Sequence, residues 1–210
     1  MFPTLYAILD PSLLAVPSAQ FAGMVAVAGV QLIQLRDKNS PAAKLYADAT
    51  ELVASLAPRG VRLIVNDRPD IAAMAGAAGV HVGQQDLPVS EARRICGAPC
   101  WVGVSTHNLE QLRDADATSA DYIAVGPIFP TSTKENPDPV VGIDFLRAAR
   151  RLTRKPLVAI GGITIESAAD VFRAGADSVA VIRDLLAARD PAGRASEYLA
   201  IAERMRPDRR

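Results

Sequence analysis

Cysteine is nearly missing: the 210-residue chain holds two, Cys96 and Cys100, in the run CGAPC. Two thiols make no disulfide framework, and a metal site would need further ligands beside them. They read as small side chains near the start of a strand. Aromatic residues are 5% of the chain, and the only histidines are His81 and His107. Charge of either sign is not in excess, 23 basic residues facing 23 acidic. A zero balance gives no electrostatic reason to expect nucleic acid or an anionic membrane surface as a partner. The basic ending RMRPDRR is short and reads as a solvated tail. No apolar run approaches the ~20 residues of a membrane span. The opening MFPTLYAILDPSLLAV lacks the basic n-region of a signal peptide. The expectation is a soluble cytoplasmic protein in reducing surroundings, with 1–210 as a single domain.

Half of the residues are hydrophobic, Ala foremost. Short apolar runs alternate with Ala-rich stretches of helical period such as AAKLYADATELVASLA. The runs are 5–9, 30–36, 61–66, 80–82, 101–105, 122–126, 156–160 and 178–182. Strands alternating with helices argue for parallel βαβ units, so the class is α/β. Eight strands match a (β/α)8 TIM barrel, and the length falls within that fold's range although below its typical ~250 residues. An open doubly wound sheet is the other reading, but no GxGxxG follows an early strand. A phrase of helix end, small residue and strand recurs in VAGVQLIQLR, AGAAGVHVGQ and RAGADSVAVI, placing Gly29, Gly79 and Gly175 where helix ends belong.

A barrel builds its active site at the C-terminal ends of its strands. The runs end in QLRDK, VNDRPD, HVGQQD, GVSTHN, GPIFPTSTK, IGGIT and VIRD, a concentration of polar residues at that mouth. Along the second run, residues 32, 34, 36 and 38 share a face. Gln34, Arg36 and Lys38 then point to the axis, with Ile33 and Leu35 toward the helices. The same rule turns Asn66 inward and leaves Asp37 pointing away, to orient its basic neighbours or stay solvated. Asp67 and Asp86 end neighbouring strands. Each alone could cap a helix. Together, beside Arg36 and Lys38, they suit Mg2+ and a diphosphate, since Mg2+ commonly takes one or two carboxylates plus phosphate oxygens. Gly161 and Gly162 follow the seventh run, where barrels often hold a phosphate against backbone N–H groups. The segment 126–142 is the longest irregular stretch and is expected to act as a lid that keeps water out.

In this order, QLRDK, ND, HVGQQD, GVSTH, GPIFPTSTK and GGI resemble the thiamine-phosphate synthase (thiamine-phosphate pyrophosphorylase) family, over essentially the whole chain from YAILD to AGADSVAVI. The resemblance implies a transferase that joins a hydroxymethylpyrimidine diphosphate to the nitrogen of a thiazole phosphate. Pyrophosphate leaves first, in a dissociative path. It implies pyrimidine diphosphate contacts from Gln34, Arg36, Lys38 and Asn66, and one Mg2+ held by Asp67 and Asp86. Ser105, Arg36 and Lys134 would serve the departing diphosphate. Thr131, Thr133, the Gly162 backbone, Ile182 and Arg183 would take the thiazole phosphate. Partners would be these small molecules, and a homo-oligomer stays open. The chain departs from the family at Arg183, where members often carry Ser, at Ala180, often hydroxylic, and at Gln85, commonly Glu. A thiazole tautomerase-like barrel shares the scaffold without needing Mg2+ or a diphosphate, and a non-catalytic phosphate-ligand barrel would keep the glycines without the carboxylates. Against a phosphosugar isomerase, His81 reads as a residue in or beside the core and His107 as a flank of the Ser105 loop.

Overall fold

The eight apolar runs form eight short strands: β1 (Leu5–Leu9), β2 (Leu32–Leu35), β3 (Arg62–Asn66), β4 (Gly79–Val82), β5 (Trp101–Thr106), β6 (Tyr122–Val125), β7 (Leu157–Ala159) and β8 (Ser178–Val181). In the computed structural model, which describes residues 1–131 and 138–205, each strand pairs parallel with the next, and β8 returns to β1 to close a barrel. The architecture is a single (β/α)8 TIM barrel. Helices α1 (Ser18–Val27), α2 (Ala42–Leu56), α3 (Pro69–Ala75), α4 (Val89–Cys96), α5 (Leu109–Ala117), α6 (Gly142–Leu152) and α7 (Ile165–Arg173) fill the crossovers. A one-turn helix, α8 (Arg183–Leu186), precedes the last long one, α9 (Pro191–Met205). Among the described residues no helix is long and apolar enough to cross a membrane.

Two cores follow from the alternation of side chains along each strand. Leu5, Ala7, Leu9, Ile33, Leu35, Leu63 and Val65 face outward and pack with helix residues such as Phe21, Leu52 and Val171. Tyr6, Ile8, Leu32, Ile64, Tyr122, Ala124, Val158 and Ala180 fill the barrel interior. At the N-terminal end of the strands Phe2 stacks on Trp101 (5.4 Å between ring centroids), and the Arg62 guanidinium lies over the same indole at 4.6 Å. This aromatic floor closes one end, so the other end is left to hold a ligand.

Gly29 and Gly175 follow helix ends with φ of 102° and 109°, as expected. Gly79 does not. It is the first residue of β4, where a side chain would run into Trp101 and Ile64. The left-handed residue that ends α3 is Gly76, φ 68°.

Candidate active site

A cavity of about 320 Å3 opens at the C-terminal ends of the strands. Its lining combines apolar residues of the barrel interior, Ile8, Ala124, Ile160 and Ala180, with polar ones. On one side stand Gln34, Arg36, Asn66 and Ser105; on the other, Thr131, Gly162, Ile182 and Arg183. These eight sequence-based residues gather around one cavity from β2, β3, β5 and the loops after β6, β7 and β8. Thr133 and Lys134 lie outside the described residues.

Three of the polar side chains on the first side, Arg36, Gln34 and Ser105, are held by partners. Arg36 continues from β2, its N–H donating to Leu9 O (2.8 Å), and its Nη1 meets the buried Asp10 carboxylate at 2.7 Å. Asp10 also accepts from Ser12 Oγ at 2.6 Å. An Arg pinned on one edge by a carboxylate presents its remaining N–H groups in a fixed direction, the arrangement that suits a phosphate. Gln34 is buried, with Nε2 donating to Tyr6 Oη at 2.7 Å. Ser105 Oγ lies 2.8 Å from His81 Nε2, and its carbonyl accepts from Gln84 Nε2 at 2.7 Å.

Asp67, Asp86 and Lys38 do not line this cavity. Asp67 and Asp86 line the adjoining cleft at the rim, with Arg68, Asp70 and Leu87. Lys38 reaches across from beyond β2, its Nζ 3.2 Å from Asp67 Oδ2, and its side chain is half exposed. Asp67 follows Asn66 directly and takes a left-handed φ of 61°, while its N–H donates to His81 O at 2.8 Å. The two carboxylates line the same cleft and influence one another. Burial pushes the Asp67 carboxyl above the usual carboxylate range, the Asp86 charge adds to this, and Lys38 offsets part of it. Asp86 Oδ2 accepts from Gly83 N at 2.7 Å. Among the described residues no group of three or more His, Cys, Asp or Glu could hold a metal ion. Two carboxylates sharing one cleft beside the cavity nevertheless fit Mg2+, which keeps several waters and shares its ligands with phosphates.

The second side is built from backbone. Gly161 (φ 89°) and Gly162 (φ 62°) turn the chain from β7 into α7. A side chain at either would collide with the segment Pro127–Pro130, so both positions need glycine twice over. This brings Ile163, Thr164 and the N-terminus of α7 onto the wall, where helix N–H groups favour an anion. Ile182 and Arg183 open α8 and line the same wall. Asp184, on the wall beside them, accepts from Tyr198 Oη at 2.7 Å and pairs with Arg194 at 3.3 Å, fastening α8 to α9.

Several wall residues have no counterpart in the sequence-based set: Tyr6, His81, His107, Asp138 and Thr164. His107 Nδ1 donates to Gly126 O at 2.6 Å, and its Nε2 lies 3.4 Å from Asp138 Oδ2, joining the two ends of the irregular segment. His81 is in the barrel interior as expected, but it touches Ser105. Alternation along β4 would have found it, because His81 pairs in register with Asn66.

Comparison with known proteins identifies the family of the chain. The family model described as thiamine monophosphate synthase matches residues 5–185. The chain is 53% identical over 206 residues to a thiamine-phosphate synthase of Koribacter versatilis, covering 95% of each chain. It is 44% identical over 170 residues to one of Methanospirillum hungatei, covering 81% of this chain and 82% of that one. Among solved structures, the thiamine phosphate pyrophosphorylase of Pyrococcus furiosus superposes with a TM-score of 0.87 at 32% identity over 96% of both chains. A family match running from the first strand to the last helical turn of the site, joined to relatives of this identity, decides the matter: the chain belongs to the thiamine-phosphate synthase family.

Proposed function

We propose that the protein transfers the hydroxymethylpyrimidine group from its diphosphate to the ring nitrogen of hydroxyethylthiazole phosphate, giving thiamine phosphate and pyrophosphate, with Mg2+ as cofactor. The observation that carries this is one cavity lined both by polar side chains of β2, β3 and β5 and by the loops after β6, β7 and β8, with apolar barrel residues among them. Two phosphorylated substrates must meet with their phosphates apart and their rings together. A volume of about 320 Å3 suits a pair of small heterocycles.

The pyrimidine ring packs against the apolar barrel residues. Gln34 has Nε2 committed to Tyr6 and so offers Oε1 to the ring's amino group. The diphosphate extends toward the rim, past Arg36, Asn66 and Ser105 to Lys38. Asp67 and Asp86 would hold Mg2+, which when bound neutralises part of the diphosphate charge. The C–O bond breaks and the diphosphate leaves with the electron pair. The pyrimidinylmethyl cation is stabilised by the ring's amino group until the thiazole nitrogen forms the new C–N bond. No proton moves in this exchange, so the work of the site is to stabilise departing charge and exclude water. Arg36, Ser105 and Lys134 serve the leaving group. Thr131, Thr133, the Gly162 N–H, Ile182 and Arg183 hold the thiazole phosphate. Purified protein given both substrates should form thiamine phosphate with Mg2+ and stop when the metal is chelated. No product with Mg2+ present would sink the reading, and full activity in excess chelator would sink the metal.

A further inference from the structure

Five side chains from five strands form one line of hydrogen bonds through the barrel interior. Gln34 Nε2 donates to Tyr6 Oη at 2.7 Å, and Tyr6 Oη lies 2.9 Å from Tyr122 Oη. Tyr122 Oη lies 3.1 Å from His81 Nδ1, and His81 Nε2 lies 2.8 Å from Ser105 Oγ. A hydroxyl has a single proton to give. Tyr6 accepts from the amide, so its own proton goes to Tyr122. Tyr122 then gives its proton to His81 Nδ1. An imidazole that accepts at Nδ1 carries its proton on Nε2 and donates to Ser105 Oγ. Ser105 is left with its own proton to give, and it is on the cavity wall.

We propose that this line is directional, from the Gln34 amide to the Ser105 hydroxyl, and that Tyr122 and His81 are positioning residues that make Ser105 a donor to the departing diphosphate. The inference rests on the functional reading above, which puts the diphosphate against Ser105. Turning the Gln34 amide over would reverse every bond. Tyr6 would donate to Oε1, the imidazole proton would move to Nδ1, and Nε2 would accept the Ser105 proton. The pyrimidine chooses between the two states. Its amino group has only N–H to offer, so it pairs with Gln34 Oε1 and keeps Nε2 on Tyr6. Recognition of the ring at one end thereby sets the donor at the other. Burial raises the pKa of both phenols, Tyr6 and Tyr122, which keeps both as proton donors. Tyr122 is fully buried and off the cavity wall, so it reaches substrate only through its partners.

The direction can be read without turnover. The chain has two histidines, so 15N-histidine labelling with one His107→Gln variant assigns both imidazoles by NMR. His81 should be neutral with its proton on Nε2; a proton on Nδ1 would overturn the direction. The role is read by a kinetic cycle. Ser105→Ala should lower kcat about 100-fold, as loss of a donor to developing charge does. Tyr122→Phe should lower kcat about tenfold, the effect of one neutral hydrogen bond, with KM for both substrates within about twofold. On the Ser105→Ala background Tyr122→Phe should change kcat no further. Additive losses would mean that Tyr122 acts through packing, and would overturn the positioning role. A wild-type protein that makes no thiamine phosphate would instead overturn the functional reading and the role of Ser105 with it, while the tautomer still reports the direction.

Discussion

Asp37 accepts the backbone N–H groups of Asn39 (3.0 Å) and Ser40 (2.9 Å), just ahead of α2. It neither orients Arg36 and Lys38 nor stays idle in solvent, the two outcomes expected from alternation; it shapes the turn into the helix. Arg36 is oriented by Asp10 instead, and Lys38 by Asp67. Burial works against the Asp37 charge, but the hydrogen bonds from Ser40 and Asn39, with Lys44 nearby, hold its pKa below the ordinary value of 3.8. A carboxyl whose folded pKa is depressed adds stability above its unfolded pKa, and that stability is lost as pH falls through the folded value. Asp37→Ala should therefore cost about 1 kcal/mol at pH 7, the size of a helix-start cap. Urea melts of both proteins at decreasing pH should show the gap narrowing below the ordinary value of 3.8. A gap independent of pH would mean that the charge contributes nothing. Such contacts are not legible in sequence, since the turn that makes them depends on two backbone N–H groups and not on a pattern of side chains.

The strands were legible as elements because both faces of a barrel strand are buried, which leaves continuous apolar runs. Alternation along β2 correctly sorted Gln34 from Ile33 and Leu35, but the ends of strands were blurred. The run 30–36 contracts to Leu32–Leu35, and 80–82 gains Gly79. The Tyr6–Tyr122 contact joins positions 116 residues apart, so no local pattern could announce it. What holds Tyr122 there is a small residue on the next strand. Its ring fills the space over Gly103 on β5, wedged between Phe2 (5.1 Å), Tyr6 (5.9 Å) and His81 (5.5 Å). A methyl group at Gly103 would overlap that ring, and three aromatic neighbours leave it nowhere to go. Gly103→Ala should cost about 3 kcal/mol, the upper end for overpacking, and lower Tm by about 6–12 °C. Gly23 in α1 has open space around its Cα, so Gly23→Ala should instead stabilise by about 0.5–1 kcal/mol. Equal effects at the two sites in thermal melts would refute the steric account.

At the scale of the molecule, closing the barrel collects residues from Gln34 to Arg183 into one cavity and leaves Asp67 and Asp86 on the cleft beside it. The order of the motifs along the chain foretold that residues such as Gln34, Asn66, Ser105 and Gly162 would gather, since each ends or follows a strand. It did not foretell the split between cavity and rim, which depends on how far each loop carries its side chain past the strand end. The carboxylate pair has a consequence for the whole fold. Burial and the neighbouring Asp86 raise the Asp67 pKa, so its ionised form is a net burden on the metal-free protein. Asp67→Asn removes that burden and tolerates the left-handed φ of 61° better than Ala, whose side chain would cost about 1 kcal/mol more there. The Asn variant of the metal-free protein should thus melt above wild type at neutral pH while losing turnover. Mg2+ with inorganic pyrophosphate at about 100 times the dissociation constant should stabilise wild type by about 2.7 kcal/mol, raising Tm by about 5–10 °C. The same addition should leave Asp67→Asn nearly unmoved. If the variant melts lower and still responds to the metal, Asp67 is a structural residue of the turn after β3 and the cation is held elsewhere.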